Sequence, residues 1–305
     1  MLHFQSIQDD TAAKWLQVYP RYADLCIPNE YYSINLNVRY FMDILPSISS
    51  CVNIRGAKCI YCSRHRKENN NNEVDRTGHH FINGCSKDCD DFLQTSKPGA
   101  HFHATHNHVR HVLYNCCKHS LSPCREEPKD IFIGVDASRK RPDVITSLSV
   151  KSVPYVDYAI DVTIVSPFIG VQSGKLQNPA GANVIEPDKR ANAACKKKND
   201  TYLELCNAKK VKFVPFVMYT TGKLHSGAVK FLELVAEQAA DRRHVPPGII
   251  KNYYMKLLSV CLVKRIGFII STKVNGWQSN NHDLVEVYRF GNERVIEVGD
   301  PKFDN

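Results

Sequence analysis

The segment VDYAIDVTIVS, residues 156–166, constrains this chain more than any other stretch. A period of two puts Asp157, Ala159, Asp161 and Thr163 on one face and Tyr158, Ile160, Val162 and Ile164 on the other. The second face is apolar throughout, as expected of a strand laid against a core. Asp is disfavoured in the middle of a strand, and a buried carboxylate without a partner is costly. Asp161 therefore demands a cation, a metal ion or several hydrogen-bond donors. Asp157 shares its face but stands about 13 Å away, at roughly 3.3 Å per residue. One ion cannot serve both.

The rest of the chain supplies a context for that strand. With 305 residues and 43% hydrophobic content, real cores are expected in two or three units. Residues 1–50 read as a helical, linker-like segment, 51–125 as a Cys/His-rich segment with a basic helix, and 126–305 as an α/β domain. In the last, DIFIGVD, RPDVITSLSV and VKFVPFVMY read as further strands. Helices are expected over 187–206, 225–243 and 252–270, and VEVYRFGNERVIEV reads as a hairpin. The mixture predicts a central sheet flanked by helices. No leader or membrane-spanning run is visible, so an intracellular protein is expected. A formal charge of +9 favours a polyanionic partner.

Twelve cysteines alternate with thirteen histidines, which favours metal ligation over a disulfide framework. Cys59-Ile-Tyr-Cys62 sets two thiolates on a tight turn, and after seventeen residues His80 and Cys85 follow at an H-x4-C spacing. These four are the right ligand types for a closed, structural Zn²⁺ site. His79 could replace His80, and Cys89 could replace Cys85. Cys195 and Cys261 sit in apolar helical patterns and are expected to be inert core thiols. In THNHVRHVLYNCCKH, Val109, Val112 and Leu113 mark an apolar helical stripe, with Thr105 as the expected N-cap. His106, Asn107 and Arg110 lie on its polar side.

Two further elements bear on Asp161. RPD, at residues 141–143, offers Asp143 as a second carboxylate, although Pro-Asp is also common turn vocabulary. In RANAACKKKNDTYLELC, Ala191, Ala194, Lys198 and Tyr202 recur at helical spacing and form one stripe. If that stripe faces the strand, Lys198 reaches Asp161. The competing reading makes Lys196, Lys197 and Lys198 a solvated basic patch that contacts phosphates.

The order C-x2-C, H-x4-C, HNHVR helix, EP, RPD, DVT and K-x3-Y resembles the C-terminal region of non-LTR retrotransposons that encode a restriction-like endonuclease. The likeness covers nearly the whole chain, without the reverse transcriptase. It implies a CCHC zinc knuckle before a nuclease of the PD-(D/E)XK superfamily whose lysine has moved from the strand to a neighbouring helix. By this resemblance Cys59, Cys62, His80 and Cys85 match the knuckle, and Asp143 and Asp161 match the carboxylates that hold catalytic Mg²⁺. Lys198 and Tyr202 match the displaced K-x3-Y element, and Glu127 matches an additional acidic position. His106, Asn107 and Arg110, with Arg141, Lys196 and Lys197, are implied to bind nucleic acid. The family's usual spacing would select Asp157 instead of Asp161, while the DVT context favours Asp161. The implied activity is DNA cleavage by a metal-activated water, in the nucleus. DNA, the element's RNA and a reverse transcriptase encoded elsewhere are the implied partners. The alternative is a zinc-containing remnant that binds nucleic acid without cutting it.

Overall fold

The computed structural model describes residues 7–19, 23–40, 42, 82, 100–133, 140–149, 155–166 and 188–279. The zinc candidates Cys59, Cys62, His80 and Cys85, their alternatives His79 and Cys89, and the C-terminal hairpin lie outside the described residues.

The described chain is α/β. A four-stranded mixed sheet runs in the order β1 (Cys124–Glu126), β2 (Val144–Leu148), β3 (Val156–Val165) and β4 (Lys212–Tyr219). The first three strands are antiparallel neighbours, and β4 pairs parallel with β3. A parallel pair needs a crossover, since a tight hairpin cannot return the chain in the same direction. Here the crossover contains helix α3 (Lys189–Ala208). Pro215 lies opposite Asp161 in β4, the outer strand of the sheet among the described residues, where a residue lacking an N–H is tolerated.

The two faces of the sheet are covered differently. Helices α2 (Ala100–His119), α4 (Ser226–Arg243) and α5 (Pro247–Ser279) share a large apolar core with Ile160 and Val162 of β3. On α2 the predicted stripe of Val109, Val112 and Leu113 is fully buried in it. On the opposite face, α3 lays Tyr202 and Cys206 over Ala159 and Ile145, in a smaller cluster closed by Phe132 and Val211. Ala191 and Cys195 continue the same helix face onto Val217 and Tyr219. The stripe expected on this helix is therefore its sheet-facing side, with Lys198 on it.

Helix α1 (Asn29–Arg39) and a 3-10 helix (Asp10–Gln17) also join the large core, through Trp15 and partly buried Ile34 and Leu36. Gly267 permits the close approach of α1 to α5, because a side chain there would meet Tyr31, whose Cα would lie 2.9 Å from the added Cβ. Thr11 Oγ1 accepts from Leu224 N at 2.9 Å, tying the N-terminal segment to the turn after β4.

Two local expectations are corrected. Ile131–Ile133 form turns and not the predicted strand; Phe132 is apolar because it plugs the α3 side of the sheet, and the short β1 pairs with β2 instead. Thr105 is not an N-cap, since α2 begins at Ala100 and Thr105 is buried inside it. The described part of the N-terminal region is mostly helical, with Pro28 opening α1. Cys195 and Cys261 are buried, and burial pushes both thiols up, Cys261 to about 12.

Candidate active site

Asp161 sits at the centre of β3 and is 4% exposed. Its partner comes from the covering helix, where Lys198 Nζ lies 2.6 Å from Asp161 Oδ2. Lys198 and the Tyr202 hydroxyl both lie within hydrogen-bonding reach of the Asp161 carboxylate. Burial, followed by the nearby charge of Asp143, raises the Asp161 pKa against the opposing effects of Lys198 and His106. The structure thus sets two carboxylates close enough to repel one another, with the Lys198 ammonium on one of them.

Asp143 is held by the same strand. Its N–H donates to Ile160 O at 2.9 Å, and Val162 N donates to its Oδ2 at 2.7 Å. The carboxylate therefore extends the β2–β3 ladder by one rung and stands beside Asp161. Rigid proline before it and an N–H from Glu127 to its carbonyl, at 2.8 Å, complete the backbone frame.

Helix α2 contributes a group to this pair. His106 Nε2 is 3.0 Å from Asp143 Oδ2 and 3.1 Å from Val162 O, while its Nδ1 is 3.3 Å from Asn107 Oδ1. Burial opposes a charge on the ring, but the hydrogen bond and charge of Asp143, aided by Asn107, raise its pKa overall. One turn further on, Arg110 reaches Glu126 Oε1 at 2.8 Å and Glu127 Oε1 at 2.6 Å, with only 13% of its side chain exposed. His111 Nδ1 lies 3.2 Å from Glu126. The basic side of the helix thus faces a row of acids at the sheet edge.

Glu127 follows β1 with φ of 45°, a left-handed conformation that costs a non-glycine residue about 1 kcal/mol. This kink sets its carboxylate between Arg110 and Arg141, the latter 3.1 Å away. Tyr202 donates its hydroxyl to Arg141 O at 3.1 Å and carries Lys198 Nζ 5.9 Å from its ring centroid. Burial, then the charge of Asp161, pushes the phenol well above its ordinary range, so it remains a donor. Lys196 and Lys197 are exposed beside Lys198.

The structure thus brings Asp143, Asp161, Lys198 and Tyr202 together. Asp157 is separate: it is exposed, opposite Ser147, whose hydroxyl donates to it. Glu127 adjoins Asp143 through the backbone, yet its side chain is paired with arginines. His106 and Arg110, expected to grip nucleic acid, are engaged with Asp143 and with Glu126 and Glu127. The inward role of His106 was carried in the sequence only by its spacing of four from Arg110 and of three from buried Val109, which place it at the edge of the apolar stripe.

Among the described residues, no group of three or more His, Cys, Asp and Glu is arranged around one metal position. The pair of buried Asp161 and half-buried Asp143 still fits a hard divalent ion. Mg²⁺ is commonly held by one or two carboxylates, with water and substrate phosphate filling the other positions. The carboxylates of Asp161 and the adjacent Asp143 are a donor set of that kind. No helix among the described residues is long and apolar enough to cross a membrane. Comparison with protein-family models finds no match, and comparison with curated proteins finds none.

Proposed function

We propose that this chain is a Mg²⁺-dependent DNA endonuclease with a restriction-like core, derived from a non-LTR retrotransposon. One observation carries the reading: a mid-strand aspartate, 4% exposed, stands beside a second carboxylate and is met by a lysine from the crossing helix. An apolar side chain would fill that position at less cost, since a buried ion pair is rarely a net gain in stability. Placing such a charge there calls for a functional reason.

In this reading Asp143 and Asp161 hold the ion, which when bound activates water and neutralises phosphate charge. Lys198, with 30% of its side chain exposed, can turn from Asp161 toward the scissile phosphate. There its ammonium would donate a hydrogen bond to a non-bridging phosphate oxygen, offsetting the negative charge that builds up as the water oxygen bonds to phosphorus and the bond to the leaving sugar oxygen breaks. Tyr202 holds the Arg141 carbonyl and so steadies the approach to Asp143. Exposed Arg141, Lys196 and Lys197 contact backbone phosphates and set position more than sequence. A Zn²⁺ knuckle of Cys59, Cys62, His80 and Cys85 adds a second grip on nucleic acid. Nuclear DNA, the element's RNA and a separately encoded reverse transcriptase complete the proposal.

The test is nicking of supercoiled plasmid with Mg²⁺ by the full chain and by Asp161→Ala. Loss of nicking in the variant supports the assignment, and equal nicking by both refutes it. A second reading, binding without cleavage, is favoured by the pairing of Glu127 with Arg110 and Arg141, which removes one acid from the centre. It predicts salt-sensitive DNA binding by a chain that nicks with neither Mg²⁺ nor Mn²⁺.

A further inference from the structure

We infer that His106 is a positioning residue of the proposed metal centre, a donor that fixes Asp143 Oδ2 and leaves Oδ1 as the oxygen presented to the ion. The inference rests on the endonuclease reading above.

Three geometric facts support it. Asp143 Oδ2 lies within hydrogen-bond distance of two nitrogens, Val162 N at 2.7 Å and His106 Nε2 at 3.0 Å. The same Nε2 is 3.1 Å from Val162 O. Two acceptors facing one ring nitrogen require that nitrogen to carry a hydrogen, because its lone pair would otherwise point at oxygen. Finally, the Asp143 backbone is pinned at both ends, its N–H on Ile160 O at 2.9 Å and its carbonyl on Glu127 N at 2.8 Å. With the backbone fixed, turning the side chain about χ1 or χ2 breaks the two bonds that hold this carboxylate oxygen.

The ring itself is well placed. The neighbouring Thr105 and Val109 of α2 are buried, and Asn107 Oδ1 lies 3.3 Å from the second ring nitrogen. A partner that orients a metal-binding carboxylate through a hydrogen bond typically changes metal affinity 10- to 100-fold when removed. His106 thus acts on metal affinity through Asp143, a different job from the phosphate contact its basic helix suggests.

The experiment is Mn²⁺ binding to the full chain without DNA, read from the electron paramagnetic resonance signal of free Mn²⁺. Wild type, Asp143→Asn, His106→Ala and His106→Gln are compared, with helical circular dichroism as the folding control. Asp143→Asn should lose the site, His106→Ala should weaken it about tenfold, and His106→Gln should recover most of the affinity, since its amide can donate to Oδ2. Should the alanine variant lose its helical signal, His106→Leu fills the space without a donor and takes its place. Unchanged or tighter binding in the donorless variant, with Asp143→Asn still defective, overturns the positioning role alone. A glutamine variant as weak as the alanine one also overturns it, by making the ring a direct ligand. Wild type that binds no Mn²⁺ overturns the endonuclease reading itself, and this inference with it.

Discussion

The two faces of β3 are built from one ten-residue strand and serve opposite ends. On one face Ile160 and Val162 are sealed into the large core by α2, α4 and α5. On the other, under α3, Asp161 replaces what could have been a further apolar contact and is met by Lys198, with Tyr202 and the charge of His106 close by. The first face contributes stability, and the second carries a charge that stability alone does not require. The difference teaches where to look in a sheet of unknown role: at the residue whose alternation is right but whose chemistry is wrong for a core.

Breaking the apolar face should have the largest effect on folding. Ile160→Ala removes a fully buried side chain and should cost about 2 to 5 kcal/mol, measured by urea unfolding. On the charged face, Lys198→Met strands a buried carboxylate and should cost about 2 kcal/mol. That is below the usual 3 to 5 kcal/mol for a broken buried pair, because 30% of the lysine side chain meets solvent. Adding Asp161→Asn to it should restore most of that loss. If the double variant is no more stable than Lys198→Met alone, the ion pair is not what the lysine contributes.

Asp161→Asn by itself should shift stability by only about 1 kcal/mol, since it relieves burial and repulsion by Asp143 while freeing a lysine that water can reach. An equal penalty for Ile160→Ala and Asp161→Asn would erase the distinction between the faces.

The smallest effects are those of pH, and α2 offers an internal control. The raised pKa of His106 contributes stability that is fully present below about 6.5 and lost as pH rises through its higher folded value. The pKa of His108 is lowered, first by burial and then by Arg265, so its contribution is present above about 6.5 and lost as pH falls through the folded value. As pH rises, the melting temperature of wild type relative to His106→Gln should fall, and that relative to His108→Gln should rise. Parallel curves for the two variants would contradict the placement of the rings.

Much of the sheet was legible because its signals are local. Alternation marked β3, apolar runs marked β2 and β4, and the stripe of Ala191, Ala194, Lys198 and Tyr202 marked the face of α3 that meets the sheet. The strand expected over residues 130–136 was misread over its described part because burial of Phe132 imitates strand hydrophobicity without pairing. The site was legible where burial conflicts with charge, at Asp161. It was illegible where tertiary contact decides, as when α2 turns His106 and Arg110 inward to Asp143, Glu126 and Glu127. Spacing could not choose between Asp157 and Asp161 either, since both occupy one face. The difference is depth: Asp157 lies at the exposed end of β3 opposite Ser147, and Asp161 lies beneath α3.

That pair of aspartates gives the most direct test of the central claim. Nicking of supercoiled plasmid in Mg²⁺ should be compared for wild type, Asp157→Asn and Asp161→Asn at equal folded concentration. The account predicts that Asp157→Asn nicks at the wild-type rate and that Asp161→Asn does not nick. Nicking that survives in Asp161→Asn, or is lost only in Asp157→Asn, would contradict it.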